Sequence, residues 1–111
     1  MVIRDMGQNW YRIAGCNKRY FQVNLILPAG IGNETEAVEI VTADSLKIHT
    51  SINVDVYESL DTKEAVENDT ALWILISDGT RAVFPATKGK SFVKAVNKSA
   101  TEITKMNITG V

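Results

Sequence analysis

From residue 46 to residue 57 the chain alternates without interruption. Leu46, Ile48, Thr50, Ile52, Val54 and Val56 share one parity, and Lys47, His49, Ser51, Asn53, Asp55 and Tyr57 share the other. A strand sends successive side chains to opposite faces, whereas a helix repeats every ~3.6 residues. The run can bury its apolar set only if it is extended. One face on a core and one in water or against a polar partner is the pattern of an antiparallel sheet, so the segment predicts a long antiparallel strand.

The same patterning recurs along the chain. Residues 10–14 read as a short strand stopped by Gly15, and 16–19 as a polar connection into a strand over 20–27. Pro28 removes a ladder donor, and Gly30-Ile31-Gly32-Asn33 supplies turn residues that tolerate positive φ. Residues 37–42 begin the next strand. Residues 70–77 contain the unbroken series Leu72-Trp73-Ile74-Leu75-Ile76, which predicts a central strand buried on both faces. Asp78-Gly79 is a hairpin signal leading to a strand over 81–84 that stops at Pro85. A second turn over 87–91 then continues a meander into 92–96. The last strand, 101–109, sets Ile103 opposite in parity to Thr104, Met106 and Ile108. Between 59 and 68 the pattern changes: acidic residues crowd Leu60, Ala65 and Val66, and Asp61 and Glu64 have the spacing of a capping pair. The expected fold is therefore all-β, a single domain over 1–111: an antiparallel β-sandwich or small barrel of about seven to eight strands, with at most one short helix near 60–68.

A chain of 111 residues is one domain's worth, and at that length roughly two-thirds of the unfolded surface is buried on folding. No covalent staple is required. Cys16 is the single cysteine, which excludes the intrachain disulfide frameworks of small secreted domains and suits a reducing compartment. The most apolar run, 71–76, falls far short of the ~18–20 residues that span a bilayer as a helix. The opening Met1-Val2-Ile3-Arg4-Asp5 lacks the basic-then-apolar order of a signal peptide. The expectation is a protein without a membrane segment, not secreted by a signal peptide.

The formal net charge of -1 conceals an uneven distribution. Residues 34–69 carry ten acidic and two basic side chains, while 81–111 carry six basic and one acidic. Cross-strand pairing within one domain would cancel these charges in space. Head-to-tail contact between copies would cancel them across an interface. The sequence leaves both open.

The inventory for catalysis is thin. His49 is the only histidine, so no site can use two imidazoles, and its place on the polar parity reads as a surface position. Cys16 lies near Lys18 and Arg19, which favour a thiolate; pairing it with His49 and Asp55 is conceivable, but no spacing requires it. Gly89-Lys90-Ser91 ends like a phosphate-binding loop, yet position 84 is Phe where the pattern needs Gly, and a basic hairpin tip explains it better. Gly30-Ile31-Gly32 is a fragment of a dinucleotide fingerprint and reads as a turn. The acidic stretch over 55–69 does not have calcium-loop spacing. Asn33, Asn68, Asn97 and Asn107 each begin a glycosylation acceptor triplet, and without a secretion signal they read as turn and strand-edge residues. No cofactor and no metal is expected.

What remains is a domain that acts as a surface. The expected function is non-enzymatic and structural: a small viral or phage particle component, such as a capsid decoration (cement) or tail-associated subunit, in the virion or the host cytoplasm. Its partners would be copies of itself or a larger protein assembly. The candidate interaction residues are Trp10, Tyr11, Arg12, Arg81, Lys88 and Lys90. One alternative is a small barrel binding single-stranded nucleic acid, with Lys18, Arg19, Tyr20, Phe21 and Lys94 extending that aromatic and basic set. Another is a carbohydrate- or protein-binding β-module using Trp10, Tyr11 or Trp73, although core packing is the expectation for Trp73.

Overall fold

The computed structural model describes residues 3–5, 10–12, 15, 19–41, 45–78, 81–85 and 90–110. The strands are β1 (Ile3–Asp5), β2 (Trp10–Arg12), β3 (Arg19–Leu27), β4 (Ala37–Val41), β5 (Ser45–Thr50), β6 (Val54–Ser59), β7 (Ile74–Ser77), β8 (Arg81–Pro85), β9 (Lys90–Asn97) and β10 (Thr104–Gly110). The helix α1 (Lys63–Glu67) sits between β6 and β7. The all-β class and the short helix near 60–68 are as the sequence implies.

The strands form two five-stranded sheets. Sheet I runs β1-β4-β9-β6-β7 and sheet II runs β2-β3-β10-β5-β8. All pairings are antiparallel except β1 with β4. Without β1 and β2, the orders β4-β9-β6-β7 and β3-β10-β5-β8 are those of a jelly roll, the eight-stranded double sheet made of two Greek keys. The two N-terminal strands then cover one edge of each sheet, and β7 and β8 form the opposite edges.

Alternation explains the core. In β3 and β10 every second residue is buried: Val23, Leu25 and Leu27 on one, Thr104, Met106 and Ile108 on the other. The apolar ones meet Val38, Ile40, Val54, Val56, Val93 and Ala95 of sheet I in one continuous cluster. A second, smaller cluster lies on the outer face of sheet I, where Val66 of α1 packs on Ala37 and Phe92 with Ile3, Ala71 and Trp73 around them. Phe92 follows Ser91 and precedes Val93, so it points away from the main core that Val93 enters.

Four expectations are corrected. The alternating run over 46–57 is not one strand: β5 belongs to sheet II and β6 to sheet I, with a corner at 51–53. There the Ser51 amide donates to the Lys105 carbonyl and the Lys105 amide donates to the Ser51 hydroxyl, both at 2.9 Å. The parity survives the corner because both sheets face the same core, with Ile48, Val54 and Val56 all buried. Second, the apolar series over 72–76 is not a central strand, since β7 is the end strand of sheet I. Third, β7 and β8, which flank Asp78-Gly79, lie in different sheets and do not pair, so no hairpin forms there. Fourth, the expected turn over 87–91 overlaps the start of β9, and β8 and β9 are again in different sheets, so the chain does not meander. Among the described residues, the split of the long run and the three-residue β1 add two strands to those read from the sequence, and the all-β sandwich stands.

Asn97 locks the loops at one end of the sandwich. Its side chain is buried and donates from Nδ2 to the carbonyls of Pro28 (2.9 Å) and Glu102 (3.1 Å), while Oδ1 accepts from the Ser99 amide (2.9 Å). Its backbone bonds Asn33 and Gly32. The turn it holds needs glycine at position 30, where φ is +132° and a Cβ would stand 2.6 Å from Asn33 Nδ2.

Candidate interaction surface

The segment between β6 and β7 is fastened to itself by short polar side chains. Ser59 Oγ accepts from the Asp61 amide at 3.2 Å. The Asp61 carboxylate accepts from the Thr62 amide through Oδ1 (2.9 Å) and from the Leu72 amide through Oδ2 (3.2 Å), drawing the two ends of the excursion together. Thr62, not Asp61, caps α1: its Oγ1 accepts from the Ala65 amide at 3.1 Å. The helix ends on Asp69 in the left-handed region (φ 57°), with the Thr70 amide returning to the Ala65 carbonyl.

This lacing presses Val66 and Trp73 onto sheet I and leaves their neighbours outside. Lys94 Nζ lies 4.4 Å from the centre of the Trp73 ring and 2.8 Å from Glu34 Oε2. Leu60 and Leu72, on either side of the excursion, are 69% and 68% exposed, and Ile74 and Leu75 on β7 are 56% and 50% exposed. Leu60, Leu72, Ile74 and Ile76 line an open groove of about 540 Å³ with Glu58 and Asp61. The register of β6 on β7 shifts between Val56 and Tyr57, passing over Ile76, which turns to the main core. The groove is therefore continuous with the core at its inner end and open to water at the edge of the sheet.

The expected interaction residues do not converge on one patch. Trp10, Tyr11 and Arg12 form β2, at one edge of sheet II, and Arg81 begins β8 at the other, with three strands between them. At ~4.8 Å per strand that separation is about 19 Å. Lys90 begins β9, in the other sheet, and Lys88 lies outside the described residues. Lys94, counted toward a nucleic-acid surface, is engaged by Glu34 and Trp73 instead. Trp73 packs on the outer cluster, not in the main core. His49 is exposed on the outer face of sheet II and Asp55 is on the outer face of sheet I, so these two do not meet; Cys16 lies outside the described residues. Among the described residues no group of three or more His, Cys, Asp or Glu could hold a metal, and no helix is long and apolar enough to cross a membrane. Asn97 is 1% exposed, so as folded it offers no acceptor for a glycan.

The opposed charges meet inside the domain. The basic strand β9 lies between β4 and β6 of the acidic stretch. Lys94 pairs with Glu34, and Lys98 with Asp55 at 3.4 Å. Glu39, buried on the outer face of sheet I, faces Lys63 of α1 at 3.7 Å. The groove is not legible in the sequence, because an unbroken apolar run reads as double burial. Its position next to an acidic, loop-like stretch was the available signal for an edge.

No protein-family model matches the sequence, and no curated protein is similar to it. Among solved structures, the chain is similar to a de novo designed double-stranded β-helix determined by solution NMR, at 14% identity and a TM-score of 0.47, covering 85% of this chain and 100% of the designed one. The fold assignment rests on the strand order itself.

Proposed function

We propose that this protein is a non-enzymatic assembly module, a small component of a viral or phage particle of the capsid-decorating or tail-associated kind, acting in the particle or in the host cytoplasm. The observation that carries the reading is the apolar edge of sheet I: Leu60, Leu72 and Ile74 are exposed around one groove, and Leu75 is exposed on the same edge strand, while the interior holds a continuous buried cluster. Contiguous exposed apolar surface on an otherwise ordinary domain marks contact with another protein. Jelly rolls serve capsid domains, lectins and cupins alike, so the fold permits this role without selecting it.

Sedimentation velocity tests the reading, on the protein alone and mixed with assembled phage or virus particles. Co-sedimentation with a particle, or association that grows with concentration, is the expected result. A chain that stays monomeric at every concentration and sediments with no particle contradicts it.

A further inference from the structure

The groove joins apolar and acidic side chains. Leu60, Leu72, Ile74 and Ile76 line it together with the half-buried carboxylates Glu58 and Asp61. The nearby lysines are engaged elsewhere: Lys63 with Glu39, Lys94 with Glu34, Lys98 with Asp55. Asp61 is held in place by the Thr62 and Leu72 amides. The groove lining thus carries two carboxylates and no lysine or arginine, and an occupant that is apolar and cationic would be complementary to it.

Size and symmetry narrow the occupant further. The three exposed apolar side chains of the groove, Leu60, Leu72 and Ile74, amount to a few hundred Å², no more than the largest patch on an ordinary monomer (~300–600 Å²). A stable interface between two folded chains takes about 800 Å² from each. A twofold contact between two copies at this patch would also bring the carboxylates Glu58 and Asp61 of both copies into one interface. Meanwhile β7 is the end strand of sheet I, where an extended chain can be added by backbone pairing. It is only four residues long, which limits that pairing to a short segment.

From these observations we infer that the groove beside β7 receives a short extended segment of a partner protein, with apolar side chains at alternate positions and lysine or arginine between or beside them. The apolar side chains enter between Leu60, Leu72 and Ile74, and the cations meet Glu58 and Asp61. This rests on the reading of the protein as an assembly module and assigns the face by which it docks.

The test uses a synthetic peptide of about six residues, the length of an ordinary strand, alternating lysine and leucine, with a glutamate–leucine peptide as its counterpart. Binding to the full chain is followed by calorimetry and by methyl NMR. The expected result is saturable binding of the lysine peptide, shifts concentrated at Leu60, Leu72 and Ile74, and a Kd raised about tenfold by Leu72→Ser. Glu58→Gln raises it by a smaller factor, and Ile103→Ser, at an exposed position away from the groove, leaves it unchanged. Equal binding of the glutamate peptide, indifference to Leu72→Ser, or shifts centred elsewhere overturns the inference. Shifts of the Leu72 methyls on raising protein concentration alone also overturn it, in favour of a second copy. Failure to bind the peptide by a chain that still sediments with particles refutes the groove assignment and leaves the assembly reading standing.

Discussion

Replacing Asn97 by alanine removes three side-chain hydrogen bonds at once and leaves the carbonyls of Pro28 and Glu102 and the amide of Ser99 without that partner. Each such bond contributes about 0.5–1.5 kcal/mol net, and a buried group deprived of its partner costs ~1–3 kcal/mol. Asn97 is 1% exposed, so water does not easily replace the lost partners at its own position. The loops around it are partly exposed, which lets some of those partners be re-solvated. The expected destabilisation is therefore ~2–4 kcal/mol, a large share of the ~5–15 kcal/mol by which a domain is stable. Urea denaturation followed by circular dichroism reads it directly, as a lower midpoint with an unchanged slope. Asn97→Asp sharpens the test. It keeps the acceptor for Ser99 but turns a carboxylate oxygen toward two carbonyls, so it should destabilise at least as much as alanine. A loss below ~0.5 kcal/mol for Asn97→Ala, within the ordinary range of surface substitutions, would refute the view that this side chain ties the 28–33 and 98–102 loops together.

Three further outcomes follow from the packing. Val66→Ala deletes two buried methyl groups at ~0.8 kcal/mol each plus a cavity cost, about 2 kcal/mol in all; hydrogen exchange should show α1 losing protection while β10 keeps it, because Val66 belongs to the outer cluster only. Gly30→Ala, at φ +132° and against Asn33, should cost ~1–3 kcal/mol in thermal or chemical denaturation. Lys94→Met removes the cation between Glu34 and Trp73 and should cost about 1 kcal/mol, since Glu34 is partly exposed and can rehydrate; a thermal melt in high salt should narrow the difference from the parent chain.

The strands themselves were largely legible in the sequence, and their arrangement was not. The alternation through β3 and β10 identifies their buried faces residue by residue, including Ile103 turned outward. The cluster around Ala65 and Val66 marks α1, although the cap falls on Thr62. Parity, however, reports only which face meets the core. In a sandwich both sheets share that core, so a strand passing from sheet II to sheet I between Thr50 and Val54 keeps its pattern and hides the corner. The same ambiguity turned Asp78-Gly79 into an expected hairpin, because a turn signal does not reveal whether the next strand pairs with the last or crosses to the other sheet.

The series over 71–76 failed for a different reason. Ala71 and Trp73 serve the outer cluster and Ile76 the inner one, so both faces of the segment are in use at different positions. Leu72, Ile74 and Leu75 are left at the edge between them. The charge distribution resolves in the same way: strand order brings basic β9 between acidic β4 and β6, and no sequence separation along the chain reveals that adjacency. For the interaction surface, the aromatic and basic residues drew attention to strands that topology places far apart, whereas the groove is built from leucines and isoleucines that read as core.

The central claim is that Leu72, Ile74 and Leu75, in the most apolar run of the chain, face solvent at an open sheet edge. Methyl relaxation with a soluble paramagnetic probe, on dilute protein, measures this directly. The account predicts strong broadening of the Leu60, Leu72, Ile74 and Leu75 methyls, and none for Leu27, Ile40 and Ile108, which are buried. Equal protection of both sets would contradict it, and would return residues 72–76 to the interior of the sheet.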